Sequence, residues 1–220
     1  MTLFALVLLG LAACGGDESK EPLALSERVV AEEDAPGSKP DPVEKRQQTA
    51  DFDEFIDALH ELAVDPSTEE MSEVFREAGF QAAIVDTRYF GETHISAAAH
   101  VTSSTIQLES EEGAVSALEW LHADSLKPCP ETCAVQISEF DVGGIPDARG
   151  VRRSQSAEDI EAVGRENDRP FDSYEVLFTD GPFVYIVDVH GPPGSVTEEQ
   201  ALEIASDFHG RVEGTPPASG

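Results

Sequence analysis

Residues 174–189 constrain the fold of this chain more than any other segment, because they carry the pattern of a β-hairpin. Two runs flank Asp180-Gly181, and an Asp-Gly pair in this setting is typical of a tight hairpin turn. In the second run Val184 and Ile186 make the opposite face apolar too, which predicts a central strand covered on both sides. Apolar side chains alternate at Tyr174, Val176, Phe178, Phe183, Tyr185, Val187 and Val189.

Amphipathic helices are predicted on both sides of this hairpin in the chain. Apolar residues recur every three or four positions over residues 49–63, which indicates a first helix. Ser67 with Glu70, and Thr197 with Gln200, form capping boxes for two further helices. Ser110 is predicted to cap a helix over 111–123, Gly79 and Gly210 to end helices, and residues 156–168 to form a short helix or a loop. Additional strands are predicted at 80–90, 94–108, 134–142 and 150–155.

The predicted fold class is therefore α+β, with a mainly antiparallel sheet and amphipathic helices packed on it. Residues 80–123 and 134–209 both run strands and then a capped helix, which suggests two pseudo-repeated strand–strand–helix units without clear residue identity. This arrangement resembles, in pattern only, several exported actinobacterial lipoproteins and sensor domains. The resemblance carries no functional residues over, and the globular part matches no specific family that we identify from its sequence.

The first fourteen residues indicate where the protein is located. The run from Leu3 to Ala13 is apolar apart from one glycine, too short to span a bilayer but typical of a secretory signal peptide. It ends in Leu11-Ala12-Ala13-Cys14, which resembles the lipobox of bacterial lipoproteins. The resemblance implies that residues 1–13 are removed and that Cys14 carries the lipid and holds the protein on the extracytoplasmic side of the cell membrane. The alternative is an ordinary signal peptide cleaved nearby.

The composition of the following residues predicts the domain boundaries. Residues 14–48 are rich in Gly, Pro, Glu and Lys and are predicted to form the lipidated N-terminus and a disordered acidic tether. A flexible tether of this length reaches about 30–35 Å. Residues 49–213 are predicted to form one globular α+β domain, and residues 214–220 a flexible tail.

The charge of the chain excludes one class of partner. It has 44 acidic and 14 basic residues, for a formal net charge of −30. Nucleic acids and anionic lipid headgroups bind positively charged surfaces, so neither is expected as a partner. The acidity is interpreted as a solubilising surface, with attraction of cations or of a basic partner as the alternative.

The cysteines other than Cys14 are predicted to form a structural disulfide. Cys129 and Cys133 are an even pair in an exported domain, which favours a disulfide that closes a short loop. Their spacing differs from the C-x-x-C of redox motifs, and no second cysteine pair or nearby histidine supports a zinc site.

No catalytic motif is found, and the histidines are the main candidates for chemistry. His60, His122 and His209 fall near predicted helix C-termini, where a cation interacts favourably with the helix dipole. His94 and His100 could share a metal only if the chain turns between them, and His190 ends the central strand beside a glycine. These last three are weak candidates for a metal or catalytic site.

The sequence therefore predicts a non-enzymatic, membrane-anchored extracytoplasmic lipoprotein that acts as a binding or accessory module in the cell envelope. No catalytic residue, metal site or cofactor is assigned. The expected partners are the bilayer, through acylated Cys14, and an unknown envelope protein or small ligand. One alternative is an envelope hydrolase or metal-dependent enzyme that uses His94, His100 or His190. A second alternative is a carrier of cations or small ligands.

Overall fold

The fold was analysed in a computed structural model, which describes residues 20–44, 46–62, 68–91, 98–128, 134–164 and 168–216. The predicted signal peptide and lipobox with Cys14, the Cys129 and Cys133 pair, and His94 lie outside these residues. In the described part of the chain, no helix combines the length and the apolar character that crossing a membrane requires.

In the described residues, eight strands form one antiparallel sheet. Their bounds are β1 Ser38–Pro40, β2 Gln47–Thr49, β3 Phe80–Phe90, β4 His100–Leu108, β5 Gln136–Phe140, β6 Arg149–Gln155, β7 Phe171–Asp180 and β8 Phe183–Gly191. The strand order is β1-β3-β4-β8-β7-β6-β5, and β2 also pairs with β3. The predicted hairpin is β7 and β8, which pair from Asp172–Gly191 to Asp180–Phe183. β8 lies at the centre of the sheet, as its two apolar faces predict.

The described part of the chain also contains five α-helices: α1 Phe52–Leu62, α2 Thr68–Glu77, α3 Glu111–Ser125, α4 Ala157–Ala162 and α5 Glu198–Val212. The predicted caps of α3 and α5 are confirmed, because Ser110 Oγ accepts from the Gly113 amide and Thr197 Oγ1 accepts from the Gln200 amide. Gly210 does not end α5, contrary to prediction, and the helix continues to Val212, which is buried in the core. The predicted α+β class, with helices on a mainly antiparallel sheet, is confirmed.

The sheet is covered on both faces. On one face, Ala201, Ile204 and Phe208 of α5 pack on Phe178 and Tyr185. On the other, α1, α2 and α3 form a second core around Phe55, Phe75, Leu118, Leu177 and Val184. Successive residues of β8 therefore enter different cores, as the two-residue period of a strand requires.

Residues 80–123 and 134–209, suggested as two strand–strand–helix units, end in β3–β4–α3 and in β7–β8–α5, but the second range also contains β5, β6 and α4. Their hairpins are neighbours in the sheet, joined by the pairing of β4 with β8. The two helices nevertheless pack on opposite faces, since Leu118 of α3 and Phe208 of α5 belong to different cores. The similarity of the two units is thus one of element order.

The N-terminal segment is part of the domain. The prediction of a disordered tether over 14–48 is wrong for residues 20–44 and 46–48, the part of that range that the structure describes. This segment contributes β1 and β2 to the edge of the sheet, and it buries Val29, Val30 and Ala35. Its Gly, Pro and charged residues suggested disorder, but a few apolar side chains that dock on the sheet are enough to order it. The domain begins before residue 49.

Arg28 is the largest fully buried side chain of this segment. Its side chain is fully buried, lies 4.0 Å above the Phe183 ring, and donates to the Tyr185 hydroxyl and to the Thr215 carbonyl at 2.6 and 2.5 Å. In the described part of the chain, the hydrogen-bond partners of the Arg28 side chain are all uncharged oxygens. One of them is the Tyr185 hydroxyl, whose burial raises its pKa to about 12. A cation held over an aromatic face compensates part of the cost of desolvation.

The two ends of the described chain meet beside Arg28. The Leu23 amide donates to the Pro216 carbonyl, and Lys20 Nζ donates to the carbonyls of Gly210 and Glu213 at 3.0 and 2.8 Å. Thr215 is buried. The prediction of a flexible tail over 214–220 is therefore wrong for residues 214–216, and residues 217–220 lie outside the described part.

Candidate functional site

The sheet face that carries α1, α2 and α3 changes character along its strands. Near the β7–β8 turn it is apolar and covered by helices, and we call this end of the sheet the turn end. Towards the other end, which we call the histidine end, the central strands carry polar side chains in two consecutive rows on this face. From the strand register, the polar members are Thr87, Thr102, Asp188 and Glu175, followed by Tyr89, His100, His190, Ser173 and Arg153. Towards the β5 edge the same rows contain the apolar residues Val151 and Ile137, which belong to the helix-covered core.

Helix α3 ends where the polar rows begin. Ser125, its last residue, donates through Oγ to Glu175 Oε1 at 2.8 Å. Glu175 also faces Arg153, with both contacts of the ion pair at 3.3 Å. Both of these side chains are more than four-fifths buried, so the pair is fixed against the end of the helix. It forms a boundary between the apolar core and the polar rows.

A chain of hydrogen bonds holds His190 in place. Ser173 Oγ donates to Asp188 Oδ1 at 2.6 Å, and Asp188 Oδ2 lies 2.8 Å from His190 Nδ1. An ionised carboxylate only accepts hydrogen bonds, so Nδ1 carries the proton and Nε2 has the lone pair when the ring is neutral. No described residue hydrogen-bonds to Nε2. A histidine fixed in this way can accept a proton or a ligand donor at Nε2.

His100 lies directly opposite His190 on the neighbouring strand. The rings are nearly parallel, with 5.5 Å between centroids and 19° between planes. His100 Nε2 also lies 3.4 Å from Asp41 Oδ2, in the segment that follows β1. His100 is the more buried of the two, with 12% of its side chain exposed against 38% for His190.

The pKa values of His100 and His190 are shifted in opposite directions. Burial, followed by the charge of His190, lowers the pKa of His100 against the opposing effect of Asp41 and Glu44. Burial also acts to lower the pKa of His190, but the hydrogen bond and charge of Asp188 outweigh it, and the pKa is raised. Asp188 is desolvated too, yet its bonds to His190 and Ser173 and the charge of Arg153 lower its pKa overall. There is consequently a pH range in which one ring is charged and the other neutral.

Two backbone features bring these groups together. The N-terminal segment starts at Lys20 and runs along the sheet face opposite to α1, α2 and α3, where the Val30 amide donates to Ser103 Oγ. After β1 it reaches Asp41, which lies beside His100. Gly191 follows His190 where two neighbours pass close, and a Cβ there would lie 2.5 Å from Ser195 Oγ and 3.0 Å from Ala99 Cα. A side chain at this position would force these neighbours to shift, so the close packing favours glycine.

Of the histidines predicted as candidates for a metal or catalytic site, the described residues include two, and these two lie together. His100 and His190 meet as a cross-strand pair, and His94 lies outside the described residues. His122 and His209 lie in the last turns of α3 and α5, as predicted, and His60 lies near the end of α1. Among the described residues, no group of three or more His, Cys, Asp or Glu is arranged to hold a metal ion.

Sequence reasoning missed the partners of His190. Asp188 and His190 continue the face of β8 that begins with Val184 and Ile186, so a polar pair replaces apolar residues on one face of a central strand. That break in the pattern was a readable signal. Ser173 and Asp41 carry no such signal, because only strand register and the path of the N-terminal segment bring them to the site.

No protein-family model matches this chain, and no curated protein matches it. Its fold is similar to that in the crystal structure of the extracellular domain of PknH from Mycobacterium tuberculosis, with a TM-score of 0.53 and 14% sequence identity. The alignment covers 87% of this chain and 97% of that domain. At this identity the likeness establishes a shared fold and assigns no functional residue.

Proposed function

We propose that the protein is an acylated lipoprotein of the bacterial cell envelope whose extracytoplasmic domain binds a small polar ligand at the histidine end and does not catalyse a reaction. The observation that carries the binding site is the pair of polar rows that continues the sheet beyond the end of α3. These side chains stand on paired strands, and His190 is already fixed by Asp188 and Ser173. Sites on rigid elements with their own supporting hydrogen bonds are preorganised for binding.

The charges at the histidine end favour a particular ligand. Asp188, Asp41 and Glu44 all act on the two histidines, and the charge of Arg153 is matched by Glu175. The surplus is therefore negative. A ligand that carries positive charge or several hydrogen-bond donors complements such a surface, whereas an anion would be repelled.

The location is supported by two independent features. The Leu11-Ala12-Ala13-Cys14 sequence after an apolar run is typical of lipoprotein acylation. The likeness of fold to an extracellular domain supports an extracytoplasmic position for this domain. In the expected arrangement the protein is held on the membrane by its lipid.

Native mass spectrometry of the protein, extracted from its host membrane in mild detergent, tests the binding site. We expect a bound small molecule in the wild type, its loss in His190→Gln, and its retention in His122→Gln. The control is matched because His122 also pairs with a carboxylate, 3.1 Å away on Glu139, but that carboxylate stands on β5, three strands away from β8 and His190. A bare chain in the wild type, or full retention in His190→Gln, contradicts the proposal.

The anchor has its own test. Cys14→Ala should move the protein from the membrane fraction to the soluble extracytoplasmic fraction, because the acyl chains are its only proposed attachment. Firm membrane attachment of this variant contradicts acylation at Cys14, and it leaves the binding proposal to be judged separately.

A second function is favoured by one observation, the bond between Asp188 and His190. A carboxylate that orients an imidazole is the arrangement of a general base, with Nε2 as the atom that would take a proton from water or from a substrate hydroxyl. Assays with small ester and phosphoester substrates test this function. Turnover that falls by about 10²-fold or more in His190→Gln and persists in His122→Gln would replace the binding function with a hydrolytic one.

A further inference from the structure

The distance between the proposed lipid anchor and the folded domain is short. Lys20 is already fixed on the domain by its hydrogen bonds to the carbonyls of Gly210 and Glu213. Six residue steps connect it to Cys14, and a chain of that length spans at most about 20–22 Å in any conformation. The Lys20 backbone therefore lies within that distance of the residue proposed to carry the lipid, and its side chain reaches from there to the domain.

Lys20 contacts the domain at the turn end. Gly210 and Glu213 lie at the C-terminal end of α5, and the Gly214 amide next to them donates to Asp180, the last residue of β7. Leu23 continues the contact through its bond to Pro216. The β7–β8 turn, the end of α5 and the entry of the N-terminal segment thus form one pole of the molecule.

The histidine end is the opposite pole. β8 runs from Phe183 beside the turn to His190 and Gly191, and α5 returns from Glu198 to Val212. Eight residue steps along a strand correspond to about 26 Å. The proposed ligand site is therefore separated from the Lys20 contact by about the length of the central strand.

We infer that the domain stands on its membrane with the turn end towards the lipid and the histidine end facing away from it. This inference rests on the proposed acylation of Cys14. The acidity of the domain supports it, because a formal net charge of −30 is repelled by anionic headgroups and opposes a domain that lies flat on the bilayer. A ligand then reaches His190 from the aqueous side, and membrane lipid is excluded as its source.

Energy transfer from the protein to the vesicle surface measures this orientation. A fluorescent non-natural amino acid is placed at Glu198 or at Glu213, and the acylated full-length protein is reconstituted into vesicles with an acceptor on the lipid headgroups. The positions are matched, since both are exposed glutamates at the two ends of α5, about 22 Å apart along its axis. We expect several-fold stronger transfer from Glu213. Equal transfer, or stronger transfer from Glu198, overturns the inference.

Two controls separate the orientation from the anchor. Cys14→Ala protein should not float with the vesicles; if it floats as well as the wild type does, the acylation and the orientation that depends on it are both overturned. A flexible insert of about 30 Gly and Ser residues between Gly16 and Asp17 should keep flotation but remove the difference between the two positions, because such a linker relaxes the restraint. A difference that survives the insert means that the short connection is not its cause, and overturns the inference.

Discussion

The turn end and the histidine end are built from the same strands, yet their interiors differ. At the turn end, apolar side chains such as Leu177 and Val184 are closed in by helices, and even the buried cation Arg28 is surrounded by protein oxygens and an aromatic ring. At the histidine end, the corresponding positions are His190 and Asp188, which are 38% and 26% exposed. On the sheet face that carries α1, α2 and α3, one end is therefore a completed core, and the other is a partly exposed polar surface.

This contrast shows how one sheet provides stability and a site together. Burial of apolar area contributes most of the folding free energy, and on the face that carries α1, α2 and α3 the turn end provides that area. Polar groups at half depth contribute little stability of their own, and they keep part of their hydrogen-bonding capacity for a ligand. Substitutions at the two ends should therefore differ in both size and kind.

Arg28→Ala at the turn end should have the largest effect, a loss of about 3–5 kcal/mol in the free energy of unfolding. The substitution leaves the Tyr185 hydroxyl and the Thr215 carbonyl without their buried donor and removes the cation over Phe183. Arg28→Met should cost less, because it fills the space and removes a desolvated charge. Urea unfolding of residues 20–220 measures both, and an Arg28→Ala protein as stable as the wild type would contradict this account of the turn end.

Leu177→Ala should lower the free energy of unfolding by about 2–4 kcal/mol, through lost burial and a cavity in the core. Leu177 is 1% exposed and packs on the same face as the polar rows, one row away from them. Val115→Ala is the control, because Val115 is an exposed apolar residue of α3. Equal effects of the two substitutions in urea unfolding would mean that this end is not a closed core.

Asp188→Asn should act mainly on protonation, lowering the pKa of His190, which NMR titration of its ring protons measures. Because the pKa of His190 is raised, its protonation stabilises the fold below the ordinary value of 6.5, and this stabilisation is lost as pH rises through the raised value. Because the pKa of Asp188 is lowered, its ionisation stabilises the fold above 3.8, and this stabilisation is lost as pH falls through the lowered value. The difference in the free energy of unfolding between Asp188→Asn and the wild type should be largest between the ordinary pKa values of the two groups, at about 1 kcal/mol, and should become smaller at alkaline pH.

If the difference in the free energy of unfolding between Asp188→Asn and the wild type stays constant from acidic to alkaline pH, Asp188 acts by packing alone. Ser173→Ala is a milder change at the same site, because it removes one donor to Asp188 and leaves the carboxylate. It should lower the pKa of His190 less than Asp188→Asn does.

His190→Gln should have the smallest effect on stability, within about 1 kcal/mol, because its side chain is more than one-third exposed. Its effect should appear in the pKa of His100, which should rise when the neighbouring charge is removed. NMR titration of His100 checks this directly. An unchanged pKa of His100 would show that the two rings do not interact electrostatically.

Much of the fold could be predicted from local pattern. The alternation around Asp180-Gly181 identified β7, β8 and the centre of the sheet, and Ser110 and Thr197 marked the starts of two helices. These predictions succeeded because strand period, turn chemistry and helix caps are short-range properties of the chain. The same approach failed for residues 20–44, where composition outweighed a few apolar residues whose docking surface is distant in sequence.

Only part of the candidate site could be predicted from the sequence. His100 and His190 could be named as candidates, and the polar interruption of β8 at Asp188 was visible in the sequence. Their pairing depends on the register of β4 against β8, and Ser173 and Asp41 join through β7 and through the N-terminal segment. Residues about 90 positions apart become neighbours only when long-range pairing fixes which rows align.

The sequence alone therefore determined the α+β class, the central hairpin with two apolar faces on β8, and the Ser110 and Thr197 helix caps, because these follow from interactions within a few residues. The tertiary structure decided that the N-terminal segment belongs to the core, that α3 and α5 cover opposite faces, and that two histidines from distant strands share one polar end with Asp188. The physical reason is that burial and pKa depend on every group that packs nearby, and most of those groups come from elsewhere in the chain.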